Sequence, residues 1–98
     1  MGLFEIYIND GRKVVTTAGT REALVAASSP ATLVVIMAEV DNTGVVAVGG
    51  LNVVAAIATR RGIPLYASEA LTLEISDLNT VYLDTNVSGD GVTFVYMA

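Results

Sequence analysis

The chain has 98 residues, with five Lys and Arg against ten Asp and Glu, and neither His nor Cys. That length fits one domain with one core, and the composition excludes a Ser-His-Asp triad, a thiol nucleophile, a Cys/His zinc cluster and an imidazole base, so that only carboxylate chemistry survives. A net charge of −5 argues against a phosphate-binding face and against nucleic acid as a partner. Hydrophobic residues make up 53% and charged residues 15%, against about 25% charged in an average soluble domain, so the chain is short of groups to cover a free surface and is expected to bury part of it on partners.

In chain order, residues 3–8 carry aromatic and β-branched side chains in partial alternation. Asn9-Asp10-Gly11 is a turn signal ahead of residues 14–17, and together these predict an opening hairpin. Residues 20–27 have helical composition with Thr20 as a cap, but Ser28-Ser29-Pro30 stops the segment after about two turns, and a short helix and an edge strand both stay open. Residues 32–38 form a continuous apolar run, expected as a strand buried on both faces. Asn42-Thr43-Gly44 then turns the chain into a returning strand over 45–48, ended by Gly49-Gly50.

Residues 52–64 are an Ala-rich connection with Arg60-Arg61-Gly62 near its end, and Pro64 disfavours helix at Ile63. Beyond it, Leu71, Leu73 and Ile75 alternate with Thr72 and Glu74. A turn at 76–79 leads to a strand over 81–84, and Ser88-Gly89-Asp90-Gly91 turns into 92–97. About seven or eight short strands with at most one short helix predict an all-β fold, a single antiparallel β-sandwich spanning 1–98, with a jelly roll as one of its forms.

No basic segment or long apolar stretch stands at the N-terminus, and the protein is expected to stay where it is made, in the cytoplasm before assembly. Residues 43–59 carry no charge, but glycines interrupt them and they fall short of the ~20 residues of a spanning helix, so no membrane association is expected.

Gly49-Gly50 follows a strand, as a nucleotide-binding loop would, but lacks both the G-x-G-x-x-G spacing and the P-loop lysine, so it reads as a turn or bulge. Glu69, Glu74, Asp77 and Asp84 are close in sequence, yet glycoside hydrolysis needs two carboxyls facing across a cleft, which a chain this small has little scaffold to build. Asp77, Asp84 and Asp90 lack the spacing of a calcium loop and are expected in Asx turns or in solvent. No catalytic residue, cofactor or metal site is assigned. Tyr7, Tyr66, Tyr82 and Tyr96 suit half-buried packing better than a sugar-stacking platform. Arg60 and Arg61 are the basic pair of the second half, suited to acidic groups on a neighbouring subunit. Phe4 and Ile6 lie on an N-terminal strand that could pair with a neighbour by strand addition.

The series Asn42-Thr43-Gly44 with Val45 to Gly50, Arg60-Arg61-Gly62-Ile63-Pro64-Leu65, Glu69-Ala70-Leu71-Thr72-Leu73, Asp77-Leu78, Val81-Tyr82-Leu83-Asp84 and Gly89-Asp90-Gly91-Val92-Thr93-Phe94 resembles small β-rich structural proteins of tailed bacteriophages. The resemblance covers roughly residues 32–98 and consists of scaffold motifs without chemistry. It implies a virion protein, foremost a decoration or cement protein on the capsid, with the major capsid protein or another virion protein as partner and a homo-oligomer, a trimer by preference, as its state. A tail, collar or fibre component and a small carbohydrate-binding module are the alternatives.

Overall fold

The computed structural model describes residues 7–98. Among them eight strands follow in chain order: β1 (Ile8–Val14), β2 (Glu22–Ala23), β3 (Leu33–Ala38), β4 (Val46–Gly49), β5 (Ile63–Leu65), β6 (Ala70–Glu74), β7 (Tyr82–Thr85) and β8 (Gly91–Met97). They form two four-stranded antiparallel sheets, β1-β8-β3-β6 and β2-β7-β4-β5. The pairs β1·β8, β2·β7, β3·β6 and β4·β5 nest one inside the next, and β3·β8 and β4·β7 close each sheet. Such nesting is an antiparallel ribbon rolled onto itself, the jelly roll that the sequence allowed.

The core lies between the sheets and follows the period-2 pleat. Val34, Ile36 and Ala38 of β3, Val92 and Phe94 of β8, Val46 and Val48 of β4, and Leu83 of β7 are buried there, with Leu71 and Leu73 of β6 packed against them. Leu24 and Leu78 belong to the same core. Leu78 opens a 3-10 turn (Leu78–Thr80) capped by Asp77, whose carboxylate accepts from the Asn79 N–H at 3.0 Å.

Three expectations need correction. Asn9-Asp10-Gly11 is not a turn: it runs through the middle of β1, with Asn9, Asp10 and Gly11 paired to Tyr96, Val95 and Phe94. The glycine serves the strand, because a Cβ there would collide with the Phe94 ring, 2.9 Å from Cε2, and its absence lets the ring lie across the backbone into the core. Local turn chemistry yields to seven consecutive pairings with β8. The expected second arm of that hairpin shrinks to Val14, the last residue of β1, and Val15 to Thr17 are a loop. Third, β3 is not buried on both faces, since Val34, Ile36 and Ala38 are buried whereas Val35 and Met37 are exposed. Of the segment 20–27, open between helix and edge strand, Glu22–Ala23 form the edge strand β2 against β7 and the rest is irregular.

Candidate functional site

The two sheets treat their outer faces differently. On β2-β7-β4-β5, the residues between those that face the core include Ala47, Asp84 and Tyr82, and the chain covers these itself. Residues 50–62 leave β4 through a Gly50–Val53 turn, with the Val53 N–H on the Gly50 carbonyl at 3.1 Å, and fold back so that Val53 and Ala55 bury Ala47, with Tyr82 packed alongside. Val54 and Arg61 pair across this flap in both directions, at 3.1 and 2.9 Å. Gly62 makes the exit: its φ is +101° and a Cβ would strike the Val48 carbonyl, so only glycine lets the flap lie this close to β4.

Polar groups lock the flap. Asp84, in the middle of β7 and buried, accepts from the Ala55 N–H at 2.8 Å and from the Gly19 N–H at 3.1 Å. Arg60 donates from Nε and Nη2 to the Ala55 carbonyl at 3.0 and 2.8 Å. The 3-10 turn Ile57–Thr59 at the tip of the flap has no buried residue, and Ile57 there is 81% exposed, flanked by exposed Ala56 and Ala58.

Among the described residues, no segment covers the outer face of β1-β8-β3-β6. By register, Ile8, Met97, Leu33 and Glu74 form one row across the sheet, Asp10, Val95, Val35 and Thr72 the next, and Arg12, Thr93, Met37 and Ala70 the third. Ile8 is 69%, Val35 37%, Met37 40% and Val95 41% exposed. Val35, Met37, Thr93 and Val95, with the Gly11 backbone, line a shallow apolar groove of about 770 Å³ bounded by Asp10 and Arg12. Arg12 is held on Glu39 at 2.7 Å, and this hydrogen bond, with the charge of Glu39 behind it, raises its pKa further above the ordinary arginine value.

The remaining sequence candidates are spread over the molecule. Asp77 accepts from the Ser28 hydroxyl and from the Ser29 and Asn79 N–H groups, which together hold its carboxyl below the usual aspartate range, the serine hydroxyl foremost. Asp90 is buried and accepts from the Thr43 and Gly44 N–H groups at 3.3 and 2.8 Å. Glu69 accepts from the Tyr66 N–H at 2.8 Å within the β5–β6 turn, and Glu74 stands exposed on the outer face. Asp77 and Glu69 fasten local turns, as Asx turns and caps do, whereas Asp84 and Asp90, expected in Asx turns or in solvent, are buried and fasten backbone remote in sequence. No cluster of three or more potential metal-ligating side chains occurs among the described residues.

Tyr82 and Tyr96 are half-buried on different sheets, with Tyr96 6.0 Å from Phe94 between ring centres, while Tyr7 and Tyr66 are exposed. Gly49 ends β4 and Gly50 begins the flap turn, which is the structural role read for them. The basic pair divides: Arg60 is turned inward onto Ala55, whereas Arg61 is exposed and takes part in no ion pair found among the described residues. Phe4 and Ile6 lie outside the described residues. Sequence reading missed Val35, Met37, Val95 and Ile57, whose apolar character looked like core; for Val95 and Val35 the flanking Thr93 and the alternating Thr72 and Glu74 of the neighbouring strand were the available signal.

No helix among the described residues is long and apolar enough to cross a membrane. No protein-family model, curated protein or solved structure matches the chain.

Proposed function

We propose that this chain is a non-enzymatic structural protein of a bacteriophage virion, acting as a capsid decoration protein that binds and stabilises the assembled head. The observation that carries this reading is the bare apolar face of β1-β8-β3-β6 in a molecule that covers its other sheet with its own flap. A free monomer with few charges gains nothing from leaving Val35, Met37 and Val95 in water, whereas a protein that works by occupying a surface needs such a face. The jelly-roll architecture, common among capsid and lectin domains, and the scaffold motifs of residues 32–98 support the same biology, although architecture alone decides no function.

The mechanism is mass action. A protein that binds the assembled lattice and not its dissociated parts stabilises it by RT ln(1 + [L]/Kd) at each site, about 2.7 kcal/mol at a hundredfold excess over Kd, repeated across the shell. It requires no covalent step and no cofactor. Quantitative mass spectrometry of purified particles tests the reading: about one copy per major capsid protein is expected. A few to some tens of copies per particle would move the protein to tail or collar, and its absence from particles would overturn the virion assignment and bring glycan binding to the front.

A further inference from the structure

The bare face needs an occupant, and the chain presents a matching one. Ile57, the most exposed of the large hydrophobic side chains among the described residues, stands at the tip of a flap whose base is held by Asp84, Arg60 and the Val54–Arg61 pairing. The groove is apolar in its floor and acidic at its margin, where Asp10, Glu39 and Asp41 outnumber Arg12. The flap side has the opposite balance. Residues 43–68 contain no Asp or Glu, and their charges are Arg60 and Arg61, with Asp84 buried beneath them. The groove margin, with Asp10, Glu39 and Asp41 against Arg12, thus carries a net −2 and the flap, with Arg60 and Arg61 over Asp84, a net +1, a difference that orients one copy against the next.

We infer that the occupant of the groove is a second copy of this chain, whose Ile57 knob seats against Val35, Met37 and Val95 while its Arg61 meets Asp10. This rests on the reading of the chain as an assembly protein and gives the groove to the neighbouring copy, so that a ring or string of copies meets the capsid through other surfaces. The flap covers one sheet and the groove lies on the other, so knob and groove sit on opposite sides of the sandwich and the contact is heterologous: each copy offers a knob to one neighbour and a groove to another, building a ring or a string. Preorganisation of the flap removes the ordering cost that a loose loop would incur on docking.

Sedimentation of the native chain and of two variants, Ile57→Asp and Val35→Asp, tests the inference, with circular dichroism and melting to verify their folds. The native chain is expected to self-associate as concentration rises, and each variant alone to associate at least about tenfold more weakly. Mixing the variants is expected to form dimers and nothing larger, because one supplies an intact groove and the other an intact knob. Charge exchange gives a second readout that leaves the apolar contact untouched: Asp10→Arg and Arg61→Asp each weaken association, and the double variant recovers it. A native chain that stays monomeric overturns the inference, as does association that is lost in Val35→Asp and unchanged in Ile57→Asp, the signature of two grooves packing face to face. A mixture that gives no dimers overturns it too. Particle occupancy separates the two levels: occupied particles with Ile57-independent association sink this contact alone, whereas knob-dependent association of a chain absent from particles sinks the virion reading alone.

Discussion

At the scale of single residues, the buried carboxylates show how an acidic chain spends its charge. Asp84 is 2% exposed, and a carboxylate in that position would be costly unless its oxygens were filled. Each is: one takes the Gly19 N–H and the other the Ala55 N–H, so one side chain ties β7 both to the loop before β2 and to the flap. Asp84→Asn keeps the size but replaces one acceptor by an N–H₂ group, which faces an N–H donor in either orientation. The expected loss is about 1–3 kcal/mol, the cost of one buried donor left without a partner, measurable as a lower urea midpoint with unchanged slope. Unchanged stability would mean that these two bonds contribute nothing net.

At the scale of elements, β3 carries two kinds of apolar side chain that the sequence does not tell apart. Leu33-Val34-Val35-Ile36-Met37-Ala38 looks uniformly suited to burial, yet only alternate residues face the core. Ile36→Ala is therefore expected to cost about 2–5 kcal/mol through lost burial and the cavity left behind, while Val35→Thr, its neighbour, should stay within about 0.5 kcal/mol. Denaturant unfolding of the two variants checks the pair, and equal losses would place both residues in the core.

This contrast also marks what was legible. The β6 segment was readable because Leu71 and Leu73 face the core and Thr72 and Glu74 do not, so burial and polarity coincide. In β3 they do not coincide, because the outward Val35 and Met37 are as apolar as the inward residues beside them. Asn9-Asp10-Gly11 misled for a related cause: turn preference is local, whereas the partner that decides the matter, Phe94, is remote in sequence and adjacent only after folding. The basic pair was visible, but its division into an inward Arg60 and an outward Arg61 depends on where the Ala55 carbonyl lies, which no periodicity in 52–64 reveals.

At the scale of the whole molecule, the two sheets are joined by charge as well as by core packing, and that makes stability depend on acid in a definite direction. Lys13 of β1 meets Glu22 of β2 at 2.9 Å, and Glu22 also accepts from the Thr16 N–H at 3.1 Å; the lysine hydrogen bond, then the backbone one, holds the Glu22 carboxyl below the usual glutamate range. Asp77, which latches the segment before β3 to the turn before β7, is lowered in the same direction by Ser28, Ser29 and Asn79. Since each folded value lies below its unfolded one, the unfolded chain binds more protons as the solution is acidified, and both contributions are complete above the ordinary values of about 4.3 for Glu and 3.9 for Asp. They are lost as pH falls through the lower, folded values. The chain has no histidine, the side chain whose ordinary pKa would bring a charge change between about pH 5 and 8. Thermal unfolding is thus expected to give a nearly constant midpoint from pH 8 to about pH 6 and a decline below about pH 4.5. Asp77→Asn should flatten that decline, because the variant no longer carries one of the groups whose protonation drives it. A midpoint that stays level into stronger acid would show that neither carboxylate is held more firmly in the folded chain than in the unfolded one.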